Sequence, residues 1–123
     1  MKKNNTILCK TKSFSLKIIK LYSHLTNSKR EYILSKQILR SGTSIGANAK
    51  EASAAQSKKD FCAKMYIAFK ECVETEYWLE LLHESGIIER EMFYDLYTDA
   101  QELTKILSSI TKTTSENLKG GGS

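Results

Sequence analysis

Residues 57–86 read SKKDFCAKMYIAFKECVETEYWLELLHESG, the clearest helix pattern in the chain. Its apolar side chains recur every three or four positions, the spacing that places side chains on one face of an α-helix. Ser57 can cap the start of this helix with Asp60 three residues later, a variant of the capping box. The closing Ser-Gly pair is a stop signal. The sequence therefore predicts one long helix that ends near Glu84.

This third helix has more apolar surface than one small bundle can bury. At about 100° per residue, half of its circumference is filled by Phe61, Cys62, Met65, Tyr66, Ala68, Phe69, Cys72, Val73, Tyr77 and Leu79. A second apolar stripe falls outside that arc. A second stripe is typical of a subunit interface, and we predict one at Ile67, Trp78 and Leu81. The alternative is that Trp78 is an isolated exposed aromatic residue.

The second helix is predicted to run from near Lys29 to Ala55, with Ser28 as its N-cap and Glu31 completing a capping box. Its middle, residues 41–46 (SGTSIG), is poor in helix propensity and locally favours a break. The apolar phase is nevertheless the same before and after this segment, which a loop would not be expected to preserve. We therefore predict a continuous helix whose small residues let a neighbouring backbone come close.

Two further amphipathic helices flank this pair. The first runs from Thr6 or Thr11 to Leu25, and the fourth runs from about Glu89 to Thr111 with a seam close to a heptad repeat. The chain contains no proline, so none of these helices meets a proline break. Short connections between four amphipathic helices imply up-down-up-down packing. The predicted fold class is all-α, an antiparallel four-helix bundle.

Domain limits follow from this pattern. Residues 11–112 are predicted to form the bundle domain. Residues 1–10 are either a basic N-terminal extension or the start of the first helix. Residues 113–123 are predicted to be a flexible C-terminal tail, which closes with Gly-Gly-Gly-Ser, a run that resembles an appended linker.

Charge is unevenly distributed along the chain. Residues 1–70 carry 15 Lys and Arg against 3 Asp and Glu, a net charge of +12, and the remainder carries 4 against 11, a net charge of −7. A basic half favours an anionic partner such as RNA or DNA. The alternative is that basic and acidic helices complement one another, within one bundle or between subunits. The predicted phosphate contacts are Lys10, Lys12, Lys17 and Lys20, together with Lys2 and Lys3.

Other function classes find little support in the residues. No apolar run reaches the roughly 20 residues of a membrane span, and no signal-peptide core follows the basic start, so we expect a cytoplasmic protein without membrane contact. His24 and His83 have no carboxylate or cysteine at metal-ligand spacing. Isolated carboxylates in a bundle make no catalyst without a nucleophile, a metal or a cleft. We expect no enzymatic activity, no catalytic residue, no metal and no cofactor.

One carboxylate, that of Glu76, falls inside the apolar arc of the third helix. A buried carboxylate has to be neutralised or paired. Arg40 on the second helix is the predicted partner, and Asn48 and Glu51 lie further along the same helix. We predict that these four residues form a structural polar network, and a part in a functional site is the alternative.

Two motifs at the right spacing point to a known family. The second helix contains QILRSGTSIGAN at residues 37–48, and the third contains SKKDF at 57–61 and ETEYWLELL at 74–82. The chain strongly resembles the four-helix bundle proteins of the 23S rRNA intervening-sequence family over nearly all of residues 10–112. It departs from the family at residues 48–52, which read NAKEA. The typical motif is Asn-Ile-Ala-Glu-Gly, and this chain keeps its asparagine and glutamate but has alanine in place of its glycine.

The resemblance implies a cyclic homopentamer with a central channel. It also implies a relationship to the accessory variability proteins of diversity-generating retroelements, basic pentameric bundles that bind nucleic acid and a reverse transcriptase. The separation of basic and acidic helices favours head-to-tail contacts between copies, because such contacts join two different surfaces. We expect an oligomeric nucleic-acid-binding or RNA-associated scaffold. The alternative is a protein-interaction scaffold, with a partner such as a reverse transcriptase and no nucleic-acid binding of its own.

Overall fold

The computed structural model describes the backbone of residues 2–121 and the side chains of residues 6–119. Its four α-helices, in chain order, are α1 (Lys2–Asn27), α2 (Leu34–Ala52), α3 (Lys58–Glu84) and α4 (Arg90–Gly121). Each helix packs against the next one in the sequence, and α1 also contacts α4 to close the bundle. The described backbone contains no β-strand. The predicted all-α, antiparallel four-helix bundle is confirmed.

The core lies along the bundle axis and receives side chains from all four helices. Its largest fully buried members include Ile7, Phe14 and Ile18 from α1, Ile38 and Ile45 from α2, Met65, Leu79 and Leu82 from α3, and Leu103 and Leu107 from α4. Burying a side chain of this size stabilises the fold by about 1.5–3 kcal/mol. Helix α1 begins at Lys2 and Ile7 is completely buried, so residues 2–10 are the start of this helix.

Helix α2 is continuous through its serine- and glycine-rich middle, as the unchanged apolar phase predicts. Gly42 faces α1, where an added Cβ atom would lie 2.8 Å from Ile18 Cγ1 and 2.9 Å from Ile18 Cγ2. Ser41 faces α3, and its buried hydroxyl accepts a hydrogen bond of 2.9 Å from Thr75 Oγ1. The helix keeps these residues of low helix propensity because larger side chains would push its neighbours away.

The prediction that Ser28 caps α2 is wrong. The chain passes through Arg30 in a left-handed backbone conformation, φ 52°, which interrupts helical geometry, and α2 begins at Leu34. The Glu31 carboxylate caps the helix by accepting hydrogen bonds of 3.1, 2.9 and 2.7 Å from the backbone N–H groups of residues 33–35. Partial burial acts to raise the pKa of Glu31, but these hydrogen bonds outweigh it and hold the pKa below its usual value.

The C-terminal end differs from the predicted flexible tail at residues 113–123. Helix α4 continues to Gly121, and residues 122–123 lie outside the described backbone. Thr114 and Leu118 are partly buried, and they continue the inward-facing seam of α4 at a spacing of four residues. The segment also lacks proline. Helical geometry is therefore maintained beyond the end that the sequence pattern predicted.

Candidate functional site

Three of the exposed apolar side chains of α3 share its outward surface. Tyr66, Val73 and Tyr77 are 53, 45 and 53% exposed, and they lie in one line along the helix because they are spaced by seven and four residues. We call them the α3 outer stripe. The face of α3 that is buried comprises Met65, Ala68, Cys72, Thr75, Leu79 and Leu82. The prediction that the stripe residues belong to the buried arc is wrong, because α2 and α4 cover the opposite face.

The predicted interface residues lie beside the α3 outer stripe. Ile67 is 40% exposed, whereas Trp78 and Leu81 are partly buried. Trp78 packs against the core, and its indole N–H donates a hydrogen bond of 2.8 Å to Glu74 Oε2. Trp78 is therefore not an isolated exposed aromatic residue. A subunit interface at these three residues stays a prediction.

The predicted polar network divides into separate contacts. Arg40 donates from Nη1 to Glu71 Oε1 at 3.2 Å and from Nη2 to Glu74, so it joins α2 to α3. Glu76 is partly buried and instead accepts a hydrogen bond from the Thr104 hydroxyl on α4. The prediction that Glu76 pairs with Arg40 is wrong because Glu76 lies on the side of α3 that meets α4, whereas Arg40 approaches from α2.

The other two residues of the predicted network also stand apart. Asn48 Nδ2 donates to the Ser44 carbonyl oxygen at 2.9 Å within α2. Glu51 accepts a hydrogen bond of 3.0 Å from Lys64 Nζ on α3, and this contact raises the pKa of Lys64. The Glu51–Lys64 pair joins α2 to α3, whereas the Asn48 contact stays within α2, and the two bring no group of functional residues to one place.

Lys10 and Lys17, two of the predicted phosphate contacts, form ion pairs within the chain. Lys10 Nζ lies 3.3 Å from a carboxylate oxygen of Glu102 on α4. Lys17 Nζ lies 2.7 Å from Asp99 and 3.1 Å from Asp95 on the same helix. The hydrogen bond to Asp99 is the largest cause of a raised pKa at Lys17. Basic α1 and acidic α4 therefore complement one another within one chain.

The other two lysines, Lys12 and Lys20, are exposed on the outer face of α1. Among the described side chains, neither lies within 4.0 Å of a carboxylate oxygen. Leu16 and Ile19 lie between them and are 55 and 49% exposed. This face thus combines apolar surface with positive charge. The predicted contacts whose side chains are outside the described part of the chain are Lys2 and Lys3.

A buried thiol and a phenol lie where α3 meets α4. Cys72 Sγ donates to the Ala100 carbonyl oxygen at 3.2 Å and accepts from Thr104 Oγ1 at 3.2 Å. Burial raises the pKa of Cys72 to about 12, so the thiol stays protonated at neutral pH and is a poor nucleophile. Tyr97 donates to Glu80 Oε2 at 2.6 Å, and this hydrogen bond is the main cause that raises its pKa to about 12. These polar groups tie α3 to α4.

A surface cleft opens at the end of the bundle where the α1–α2 connection meets the α3–α4 connection. It has a volume of about 450 Å³ and is lined by Lys29, Arg30, Glu31, Tyr32, Ile33, Gly86 and Ile87. Tyr32 and Ile33 are 54 and 75% exposed. The cluster Lys-Arg-Glu-Tyr at residues 29–32 could have been identified as a loop from the sequence. It was missed because the second helix was predicted to begin near Lys29, whereas α2 begins at Leu34.

No group of three or more His, Cys, Asp and Glu side chains in residues 6–119 is arranged to hold a metal ion. Within the same part of the chain, none of the helices is both long and apolar enough to cross a membrane.

The helices and their seams define the protein as an antiparallel four-helix bundle with ion-paired seams and exposed apolar faces. Residues 3–109 match the family described as 23S rRNA-intervening sequence protein, and the chain belongs to this family. The chain is also similar to a crystal structure of a protein with unknown function from the S23 ribosomal protein family of Bacteroides thetaiotaomicron VPI-5482. The two are 50% identical with a TM-score of 0.87, over 89% of this chain and 98% of that chain. The comparison with curated proteins finds no match.

Proposed function

We propose that the protein is a non-enzymatic scaffold that assembles into a head-to-tail ring of identical copies and binds nucleic acid, with RNA as the expected ligand. The observation that carries this proposal is the α3 outer stripe. Three exposed apolar side chains in line along one helix form a row that a partner can cover, with the Lys70 ammonium 5.6 Å from the centre of the Tyr66 ring. The count of five copies rests on the family resemblance alone.

Assembly through α3 fits the chemistry beside the stripe. Ile67 and Leu81 widen the apolar surface, and Trp78 is held in place by its hydrogen bond to Glu74. A fixed aromatic side chain loses little conformational entropy when a partner covers it, which is why aromatic residues dominate the binding energy of interfaces. A closed ring would join this surface to a different surface of the next copy.

The nucleic-acid part of the proposal is supported by Lys12 and Lys20. Their ammonium groups have no carboxylate partner among the described side chains, so they can neutralise phosphates without breaking an internal contact. Lys10 and Lys17 would first have to leave their acidic partners on α4. A ring would present the free pair once in every copy, and repeated weak contacts of this kind add up to a tight interaction.

The second candidate is a protein-interaction scaffold that binds no nucleic acid and serves a partner such as a reverse transcriptase. It is favoured by the ion pairs of Lys10 and Lys17, because they show that part of the basic charge is used inside the chain. This candidate shares the assembly of the first and differs only in its ligand.

The proposed lack of enzymatic activity is supported by the state of the buried thiol. Cys72 is packed in the core and its pKa is raised to about 12, so it does not offer a thiolate at neutral pH. Several polar side chains between the helices make contacts that join one helix to another, as Arg40 does with Glu71 and Thr104 with Glu76. These features are those of a structural bundle.

Assembly is tested by sedimentation equilibrium on the wild type, on Tyr77→Ala and on Trp78→Ala. We expect an oligomer at micromolar concentration and about tenfold or greater weakening by each substitution, because an aromatic anchor contributes about 2 kcal/mol or more. Tyr94→Ala is the matched control, since Tyr94 on α4 is 52% exposed and Tyr77 is 53% exposed. A monomeric wild type would refute the proposed assembly.

Nucleic-acid binding is tested by mobility shift with a labelled RNA over a series of salt concentrations. The double variant Lys12→Gln/Lys20→Gln should bind more weakly and show a salt slope smaller by about 2, because each lost phosphate contact removes about one released counterion. Lys105→Gln removes an exposed lysine of α4 and is the control. Absence of any shift at low salt would favour the protein-interaction scaffold.

A further inference from the structure

The α1–α2 connection breaks two local rules of protein structure. Arg30 occupies a left-handed backbone conformation, φ 52°, which glycine or asparagine adopts at lower cost. Ile33 stands at the N-cap of α2 with 75% of its surface exposed, where a small polar residue is the usual choice. Local rules are commonly broken where a segment has a function besides folding.

The side chains of this connection have the chemistry of a nucleotide site. Tyr32 is 54% exposed and lines the cleft of about 450 Å³ together with Lys29 and Arg30. Neither cation lies within 4.0 Å of a carboxylate oxygen among the described side chains. An aromatic face beside unpaired cations is the combination that stacks a base and holds its phosphates.

The one acidic residue of the connection does not oppose this role. Both oxygens of the Glu31 carboxylate accept hydrogen bonds from backbone N–H groups at the start of α2. The negative charge therefore faces the positive end of the helix dipole. It is committed to the cap, while the two neighbouring cations remain available to a ligand.

From these observations we propose that the α1–α2 connection is a binding site for single-stranded nucleic acid, in which Tyr32 stacks an unpaired base and Lys29 and Arg30 contact the adjoining phosphates. A single strand is required because the bases of a duplex are stacked on one another and offer no free face. The inference rests on the nucleic-acid half of the proposed function, and it locates a second contact region apart from Lys12 and Lys20.

The test measures fluorescence anisotropy of a short labelled oligouridylate at low salt, with duplex RNA of equal length as a competitor. Tyr32→Ala should weaken binding by about 5- to 150-fold, the range for one stacked base, and should abolish the preference over duplex. Tyr32→Phe should retain both properties because it keeps the ring. Tyr94→Ala removes a tyrosine of similar exposure from α4 and should bind as the wild type does.

A second variant separates binding from folding. Arg30→Gly removes the charge and relieves the left-handed conformation, so it should unfold at higher denaturant concentration than the wild type and yet bind the oligouridylate more weakly. A purely structural Arg30 would not produce these opposite changes. Equal affinity of this variant and the wild type would contradict the phosphate contact.

The outcomes also separate this inference from the proposed function. If the wild type binds duplex RNA but not the oligouridylate, or if Tyr32→Ala binds normally while Lys12→Gln/Lys20→Gln does not, the site at the α1–α2 connection is refuted and general nucleic-acid binding stands. If neither RNA binds, both proposals fail. A smaller oligomer for Tyr32→Ala in sedimentation would assign Tyr32 to a contact between copies and would also refute the site.

Discussion

The two sides of α1 are joined to their neighbours in different ways. Towards α2, the contact depends on size, because Gly42 leaves room for the buried side chain of Ile18 and no larger residue fits without a shift. Towards α4, the contact depends on charge, because Lys17 reaches two carboxylates near the surface. The contact between α1 and α2, the size-dependent seam, fixes how closely these two helices approach. The contact between α1 and α4, the charged seam, mainly determines which helix packs beside α1.

The difference in burial predicts a difference in tolerance. A single methyl group added to a closely packed core lowers the free energy of unfolding, because the surrounding atoms have nowhere to move. Lys17 and its partners Asp95 and Asp99 keep 39, 62 and 36% of their side-chain surface exposed. Water and salt screen such pairs, so they contribute little to stability even though they are well formed.

The largest effect should come from a methyl group placed in the size-dependent seam. We expect Gly42→Ala to be less stable than the matched variant Gly46→Ala by about 1–3 kcal/mol, the usual cost of overpacking. Both substitutions gain the same helix propensity, but the nearest atoms to a Cβ at Gly46 lie at 3.3–3.4 Å, compared with 2.8 Å at Gly42. Urea unfolding measures the difference, and equal midpoints would show that Ile18 can move aside.

An intermediate effect is expected at the cap of α2. Glu31→Gln should lower the free energy of unfolding at neutral pH by about 1 kcal/mol, since the cap loses its negative charge and one of its two acceptor oxygens. The pKa of Glu31 is lowered from 4.5 in the folded protein, so its contribution is present above pH 4.5 and is lost as the pH falls below that value. The wild type should therefore lose its advantage over Glu31→Gln in acid. A difference that stays constant with pH would exclude the carboxylate as its source.

The smallest effect is expected in the charged seam. Lys17→Met should cost under about 1 kcal/mol, and this cost should shrink as salt is added. Lys20→Met on the same helix is the control, because Lys20 has no carboxylate partner among the described side chains. The pKa of Lys17 is raised above 10.5, so its contribution is present below that pH and is lost as the pH rises further. A loss as large as that of Gly42→Ala would remove the distinction between the two seams.

Sequence periodicity predicted which segments are helical because it depends on spacing alone. It correctly predicted that α2 is continuous across SGTSIG at residues 41–46, where helix propensity alone favours a break. It did not predict which of the two apolar faces of α3 is buried. Tyr66, Val73 and Tyr77 recur at helical spacing just as the buried residues do, and only the positions of α2 and α4 determine which face is covered.

Pairing of charged residues was predicted less well for a related reason. The position of Glu76 around the helix axis places it near the core but does not show whether it faces α2 or α4. In the structure it faces α4 and accepts a hydrogen bond from Thr104. Arg40 on α2 contacts Glu71 and Glu74, which lie on α3 within about one and a half turns of Glu76. A long basic side chain can reach several carboxylates, and sequence spacing does not predict which of them it pairs with.

The chain of contacts from Arg40 through Glu74 to Trp78 has an optical consequence. Trp78 is the sole tryptophan of the protein, and its indole N–H is bound to the same carboxylate that accepts from Arg40. An RNA or a neighbouring copy that draws Arg40 away would change the charge beside the indole ring and shift its emission. The unlabelled wild-type protein thus contains its own fluorescence reporter for events at the contact between α2 and α3.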